Sequence, residues 1–309
     1  MSVFKSYDIR GVWNREWGRE EAWRIGFHLP GLLGANDILV GRDARESSGE
    51  VFAALSGGIR AAGCGVTDMG LATTPSVYFA TAFYGFGGSA MITASHNPPE
   101  YNGLKISRAQ AVPVGYDSGL EELERLARGE RPLPAAALGS LKTLDIHEAY
   151  LRHLAPFREG IRGIKAVLDC SDGMASLYVR DLFQGLEAQV LTMYDTPDGR
   201  FPHHPPNPLV EANLKDLKEA VLRQGADVGI CFDGDADRVM FVDETRGFVS
   251  PDLITALLGV HYYRHRPEPE RYRGAVVSYD IRTSRGVVEF LRELGAEPVM
   301  CKVGHSYAK

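Results

Sequence analysis

Two short stretches of the chain carry residue types and spacings that can do chemistry. One is Asp233-Gly234-Asp235-Ala236-Asp237-Arg238. Carboxylates at i, i+2 and i+4 would spread around a helix, but in an extended loop they can face one way. Three like charges held together repel one another unless a cation neutralises them. Hard oxygen donors in that number suit Mg²⁺ or Ca²⁺ rather than Zn²⁺. The spacing of Asp233, Asp235, Asp237 and Glu244 also fits an EF-hand loop, but Arg238 stands where that loop requires glycine, and the flanks read as strands. A solvated acidic turn is the purely structural alternative. The other stretch is Ala94-Ser95-His96-Asn97-Pro98-Pro99-Glu100-Tyr101-Asn102-Gly103-Leu104-Lys105. Small residues, two prolines and Asn-Gly make a rigid, sharply turning loop. Ser95 is a candidate nucleophile or phosphate carrier, and Lys105 a candidate phosphate partner. The structural alternative is an ordinary turn with a capping serine. With no Gly-x-Ser-x-Gly elbow here, a hydrolase triad is disfavoured.

Both loops hang on strands. The run Gly88 to Thr93 reads as a short buried strand feeding the serine loop, a place where α/β proteins bind ligands. Asp227 to Phe232 and Val239 to Val242 read as strands flanking the aspartates. A wider pattern repeats: an apolar strand ending in Asp, a Ser-containing helix start, an amphipathic helix, and a Gly before the next strand. It occurs from Asp37 to Val66 with Asp43 at the strand end, from Ile164 to Ala188 with Asp169, and from Gly274 to Pro298 with Asp280. Each predicts a βαβ unit and a parallel pairing. The aspartates recur at the spacing of domains rather than of solenoid repeats. The second unit is expected to hold a helical run from its Ser171-Asp172-Gly173 start to Phe183. Linkers are expected after the helix Leu120 to Ala127 and around His265 to Glu270. The third unit has only begun at Lys309, so further chain is expected beyond it; the rival is a natural two-domain protein with a short appendage.

Composition narrows the function classes. The chain has 309 residues, enough for two or three domains, with 44% hydrophobic and 24% charged residues. A formal net charge of −6 argues against a general nucleic-acid binder. The 4 cysteines form no CxxC pair and read as buried reduced thiols. The segment Met69 to Pro99 lacks Asp, Glu, Lys and Arg, but its glycines and prolines make it helix, turn and strand rather than a membrane span. The N-terminus lacks a signal-peptide core, so the expected setting is cytoplasmic, with no membrane partner.

At full length, Thr93 to Lys105 closely resembles the active-site loop of the α-D-phosphohexomutases, and most of all their phosphomannomutase/phosphoglucomutase branch. The aspartate hexapeptide resembles that family's metal loop, with Ala236 in place of a second glycine, a change expected to be tolerated if φ is negative there. Tyr7-Asp8-Ile9-Arg10-Gly11 resembles the family's N-terminal motif. Lys302-Val303-Gly304-His305-Ser306 resembles its third-domain Lys-x-Gly-His segment. The family's Gly-Glu-x-Ser-Gly sugar loop and its C-terminal Arg-x-Ser-x-Thr phosphate loop have no counterpart here.

The resemblance implies repeated mixed-sheet α/β domains of the phosphohexomutase type, two complete and a third partial. They would span 1–142 (phosphoserine loop), 143–255 (metal loop) and 256–309. It implies a mutase interconverting hexose 1-phosphate and hexose 6-phosphate, of mannose or glucose, through a phosphoserine and a bound hexose 1,6-bisphosphate. Ser95 would carry the phosphate, with His96, Lys105 and Arg10 around it. One Mg²⁺ would sit on Asp233, Asp235, Asp237 and the Ser95 phosphate. Arg238, Lys302, His305 and Tyr7 would contact the sugar phosphate. The general base belongs to the Glu loop and is not assigned. The rivals are a phosphoglucosamine mutase, disfavoured by Pro99-Glu100-Tyr101, a metal-dependent phosphatase using Ser95 as transient acceptor, and a non-catalytic sugar-phosphate-binding fragment.

Overall fold

The structure, a computed structural model, describes residues 3–265 and 272–304. It forms two compact units, Met1–Arg246 and Gly247–Lys309. In the first unit the chain runs β1 (Ile9–Val12), α1 (Arg19–Leu33), β2 (Asp37–Arg42), α2 (Ser48–Ala61), β3 (Gly65–Leu71), α3 (Thr74–Phe83), β4 (Gly88–Ile92), β5 (Tyr101–Arg108), α4 (Leu120–Ala127) and β6 (Leu141–Thr143). It continues through α5 (His147–Leu154), β7 (Arg162–Asp169), α6 (Val179–Phe183), β8 (Glu187–Met193), α7 (Lys215–Gln224), β9 (Val228–Phe232) and β10 (Val239–Asp243).

The first sheet has the order β1-β5-β4-β2-β3-β6. Its centre is parallel, β4 and β3 flanking β2, while β5 runs antiparallel to both β4 and β1. Strand alternation divides the core between its two faces. Ile38, Val40, Ala90 and Ile92 point to one side, against Ile25 and Leu29 of α1 and Leu55 and Ile59 of α2. Leu39 and Met91 point to the other, against Val77 and Ala80 of α3. Each fully buried aliphatic side chain of this kind contributes about 1.5–3 kcal/mol.

The second sheet runs β10-β9-β7-β8 within the unit, with β7 parallel to β8 and β9, and β10 antiparallel to β9. Ile146, Tyr150 and Tyr178 join the first sheet's outer core, so the halves of the unit share buried surface. Both sheets are mixed, with the parallel pairs the strand–helix–strand pattern predicts and the antiparallel strands the resemblance implies. The helical run expected from Ser171-Asp172-Gly173 to Phe183 is interrupted: Met174–Leu177 is a 3-10 turn and α6 has only 5 residues. The left-handed backbone of Ser171 and Asp172 explains this, because it bends the chain where a regular helix would begin.

The second unit holds β11 (Phe248–Val249), α8 (Pro251–Val260), β12 (Val276–Tyr279), α9 (Arg285–Glu293) and β13 (Glu297–Met300), with β12 and β13 parallel. The Ser284 hydroxyl caps α9 by accepting from the Val287 amide, as the strand–Ser–helix pattern predicts. Among the described residues no helix is long and apolar enough to cross a membrane.

Candidate active site

Ser95 follows β4 by three residues, at the point where the chain leaves the sheet before returning as β5. It is fully buried, and its φ is 52°. A non-glycine residue in that region costs about 1–2 kcal/mol, so the loop must be held there by its contacts. The Ser95 amide donates to Thr93 Oγ1 at 2.8 Å. The Asn97 amide donates to the Ala94 carbonyl at 3.0 Å, and the Tyr101 amide to the Pro98 carbonyl at 3.1 Å.

The aspartate loop comes from the other sheet, between β9 and β10. It is a tight turn rather than an extended stretch. The Ala236 amide donates to the Asp233 carbonyl at 3.1 Å, and the amides of Asp237 and Arg238 donate to Asp233 Oδ1, each at 3.1 Å. Ala236 itself has φ 59°, so the condition under which alanine would be tolerated freely here, a negative φ, is not met. The turn needs one left-handed residue to fold its carboxylates to one side, and alanine occupies it at some strain.

The two loops meet. Ser95 Oγ donates to Asp233 Oδ2 at 2.7 Å. At Gly234 a Cβ would lie 2.7 Å from the Ser95 carbonyl, so the approach of the two backbones requires glycine. Lys105, midway along β5, is buried and donates from Nζ to Asp235 Oδ2 and Asp237 Oδ2, each at 2.5 Å. Thr74, at the start of α3, donates from Oγ1 to Asp235 Oδ2 at 2.6 Å.

Electrostatics fits this geometry. Burial, with the adjacent carboxylates of Asp235 and Asp237, holds Asp233 well above the ordinary carboxylate range. For Asp235 burial opposes ionisation, but the Lys105 ammonium and the hydrogen bonds it receives outweigh that and hold it low. Burial likewise opposes the charge on Lys105, and the two aspartates overcome it and raise its pKa. His96, whose Nδ1 lies 3.3 Å from Ser95 Oγ, is pushed down to about 4 by burial, with Arg238 and Arg10 adding to the effect.

Ligand atoms of Asp233, Asp235 and Asp237 lie within 4.8 Å of one another. Asp235 Oδ1 is buried without a hydrogen-bond partner. A buried carboxylate oxygen left unpaired is costly, and beside two more carboxylates it fits a bound cation. The residues present therefore suit a metal with oxygen ligands.

Of the other residues singled out from sequence, Arg10 donates from Nη1 to Asn97 Oδ1 at 2.7 Å and pairs through Nη2 with Asp8, while its Nε is buried without a partner. It thus touches the serine loop and keeps one N–H for an anion. Arg238 Nε lies 3.9 Å from Asp233 Oδ2 and 3.8 Å from Asp237 Oδ1. Tyr7 is half-buried ahead of β1. Lys302 is exposed in the second unit, and His305 lies outside the described residues.

Sequence reasoning missed Arg45 and Thr74. Arg45 is fully buried beside the serine loop, and its one sequence signal is an arginine just past an apolar strand that ends at Asp43. It also missed a second convergence at the ends of β7 and β9, where ligand atoms of Asp169, His204 and Cys231 lie within 4.8 Å of one another. His204 Nε2 is 2.9 Å from Asp169 Oδ2, and burial pushes the Cys231 thiol up.

Two family descriptions match the chain. Residues 1–131 match phosphoglucomutase/phosphomannomutase, alpha/beta/alpha domain I, and residues 148–247 match domain II of the same description. A phosphomannomutase of Escherichia coli strain K12 is 35% identical over 100% of this chain and 68% of its own length. A phosphomannomutase/phosphoglucomutase of Pseudomonas aeruginosa is 34% identical over 100% of this chain and 65% of its own. The crystal structure of a phosphoglucomutase/phosphomannomutase family protein from Burkholderia thailandensis superposes with a TM-score of 0.89 at 31% identity, covering 98% of this chain and 67% of that one.

Proposed function

The chain belongs to the phosphoglucomutase/phosphomannomutase family and is a phosphohexomutase, and we propose that it works through a phosphate carried on Ser95. Phospho-Ser95 gives its phosphoryl group to a free hydroxyl of a mannose or glucose monophosphate. The bond from phosphorus to Ser95 Oγ breaks, a bond to the sugar oxygen forms, and the hydroxyl proton ends on Ser95 Oγ. The resulting hexose 1,6-bisphosphate turns over and returns its other phosphate to Ser95. Such transfers depend on positioning and charge neutralisation more than on covalent help from side chains.

Asp233, Asp235 and Asp237, with an oxygen of the Ser95 phosphate, are the proposed holders of one Mg²⁺. When bound, the ion supplies positive charge against the transferring oxygens. Arg10, through its unpaired Nε, and Lys105 steady the serine phosphate. His96 stays neutral beside Ser95 Oγ. Arg238 holds substrate, with Tyr7, Lys302 and His305 proposed as further sugar-phosphate contacts. A division into domains 1–142, 143–255 and 256–309 belongs to the same reading.

The observation that carries this reading is the 2.7 Å hydrogen bond from Ser95 Oγ to Asp233, one of two buried carboxylates in the acidic trio. The test is to incubate the chain with Mg²⁺ and glucose or mannose 1,6-bisphosphate and map phosphate by peptide mass spectrometry. Phosphate should appear on Ser95 and be lost in Ser95→Ala. Phosphorylation elsewhere, or none, would overturn the assignment of Ser95.

A further inference from the structure

We propose that Arg45 is the positioning residue that fixes the Ser95 loop in its reactive conformation. Each N–H of its guanidinium has an acceptor. Nη1 donates to the carbonyls of Pro98 at 2.5 Å and Tyr101 at 3.0 Å. Nη2 donates to the carbonyls of Ser95 at 2.9 Å and Asn97 at 2.7 Å. Nε donates to Asp43 Oδ2 at 3.0 Å. Four carbonyls of one short loop thus converge on one planar cation, and Asp43, itself buried, ties that cation to the end of β2.

The left-handed Ser95 stores strain, and beyond the loop's own hydrogen bonds it needs further compensation. The guanidinium supplies that compensation from outside. A lysine would keep the charge but not the planar fork, so it could not satisfy the same carbonyls together. The Arg45 guanidinium also lies over the Phe201 ring at 5.1 Å. Phe201 packs near Gly234 of the aspartate loop, its Cε1 3.6 Å from where a Cβ at Gly234 would stand. Arg45 therefore touches the supports of both loops without touching the reacting oxygen.

The chemical consequence rests on the phosphoserine reading above; the conformational one does not. Two readouts separate them, both on the intact chain carrying Arg45→Lys. In hydrogen exchange, the amides of Asn97 and Tyr101 should exchange at least about tenfold faster, while those of β2 and β4 keep their protection. In the phosphorylation assay, the rate at which glucose 1,6-bisphosphate labels Ser95 should fall about a hundredfold. Mg²⁺ affinity by calorimetry should stay within about threefold, because the aspartate loop keeps its own hydrogen bonds.

Unchanged exchange at Asn97 and Tyr101 would overturn the proposal. So would loosening that spreads equally through the sheet and weakens Mg²⁺ binding with it, since that is a general structural loss. If the parent chain takes no phosphate, the phosphoserine reading fails and the exchange measurement still decides the role of Arg45. Should Arg45→Lys fail to fold, Phe201→Leu keeps the guanidinium and removes its platform. It should quicken exchange at the same two amides by about threefold, and no change there would overturn the proposal.

Discussion

Among the described residues, two clusters bring together side chains able to ligate a metal, and they differ in how their charge is settled. The aspartate loop holds three carboxylates against the Lys105 ammonium and the more distant Arg238 guanidinium, and a buried oxygen of Asp235 has no partner. The cluster at the ends of β7 and β9 holds one carboxylate, one imidazole and one thiol. Asp169 there accepts from the Ser171 amide at 2.8 Å and pairs with His204, and the Cys231 thiol is kept protonated by burial. The first has charge left over and the second does not. Ligand type alone does not make a metal site; unsettled buried charge does.

That distinction breaks most readily at Asp235. Asp235→Asn keeps the shape and the Thr74 contact but removes one charge and one hard oxygen ligand. Mg²⁺ affinity by calorimetry should fall about a hundredfold, roughly 2.7 kcal/mol. An unchanged affinity would mean that the trio is an acidic turn held by Lys105, and the contrast between the clusters would collapse.

His204→Gln tests the other side. Its removal leaves Asp169 buried with one partner fewer, so unfolding free energy should drop by about 2 kcal/mol, read by denaturant titration. Mg²⁺ affinity should remain within about threefold of the parent. A large loss of metal affinity would show that the second cluster also binds the ion.

A smaller effect sharpens the comparison through pH. Burial lowers the His204 pKa, but its hydrogen bond to and attraction by Asp169 outweigh this and raise it. A raised folded-state pKa stabilises the protein fully below the unfolded value of about 6.5 and loses that contribution as pH climbs through the folded value. The stability advantage of the parent over His204→Gln should therefore shrink as pH rises above about 6.5. An advantage that stays flat above that pH and falls below it would mean the imidazole is buried neutral.

Much of this was legible in the sequence, for identifiable reasons. Buried β4 and the β9–β10 pair announce themselves as apolar runs, and the loops between strands carry carboxylates and serine at fixed spacing. What distance in sequence hides is pairing. Nothing local to Lys105 indicates that its ammonium lies on Asp235 and Asp237, and nothing local to Thr74 indicates a bond to a carboxylate far along the chain. Arg45 reads as a surface arginine until four carbonyls of the serine loop surround it. The His203-His204 step carries turn residues and no periodicity, so its link to Asp169 needed the fold. Backbone sign is hidden in the same way, and Ala236 is the clearest case.

Ala236 also yields the smallest test. Its left-handed φ of 59° costs a non-glycine residue about 1–2 kcal/mol, which Ala236→Gly would recover. Two terms oppose the gain. Glycine frees the unfolded chain by about 0.4–1 kcal/mol, and the alanine methyl packs partly buried against the Leu168 and Val179 core, giving up a fraction of the roughly 0.8 kcal/mol due to a buried carbon. At mid-range values the balance is a stabilisation of about 0.5 kcal/mol, a shift of a degree or two in Tm. Mg²⁺ affinity should move by less than about twofold, because residue 236 contributes no oxygen ligand from its side chain. A loss of more than about 1 kcal/mol would mean that methyl packing outweighs backbone strain, and that alanine at this turn is an adaptation of the loop rather than a tolerated substitute for glycine.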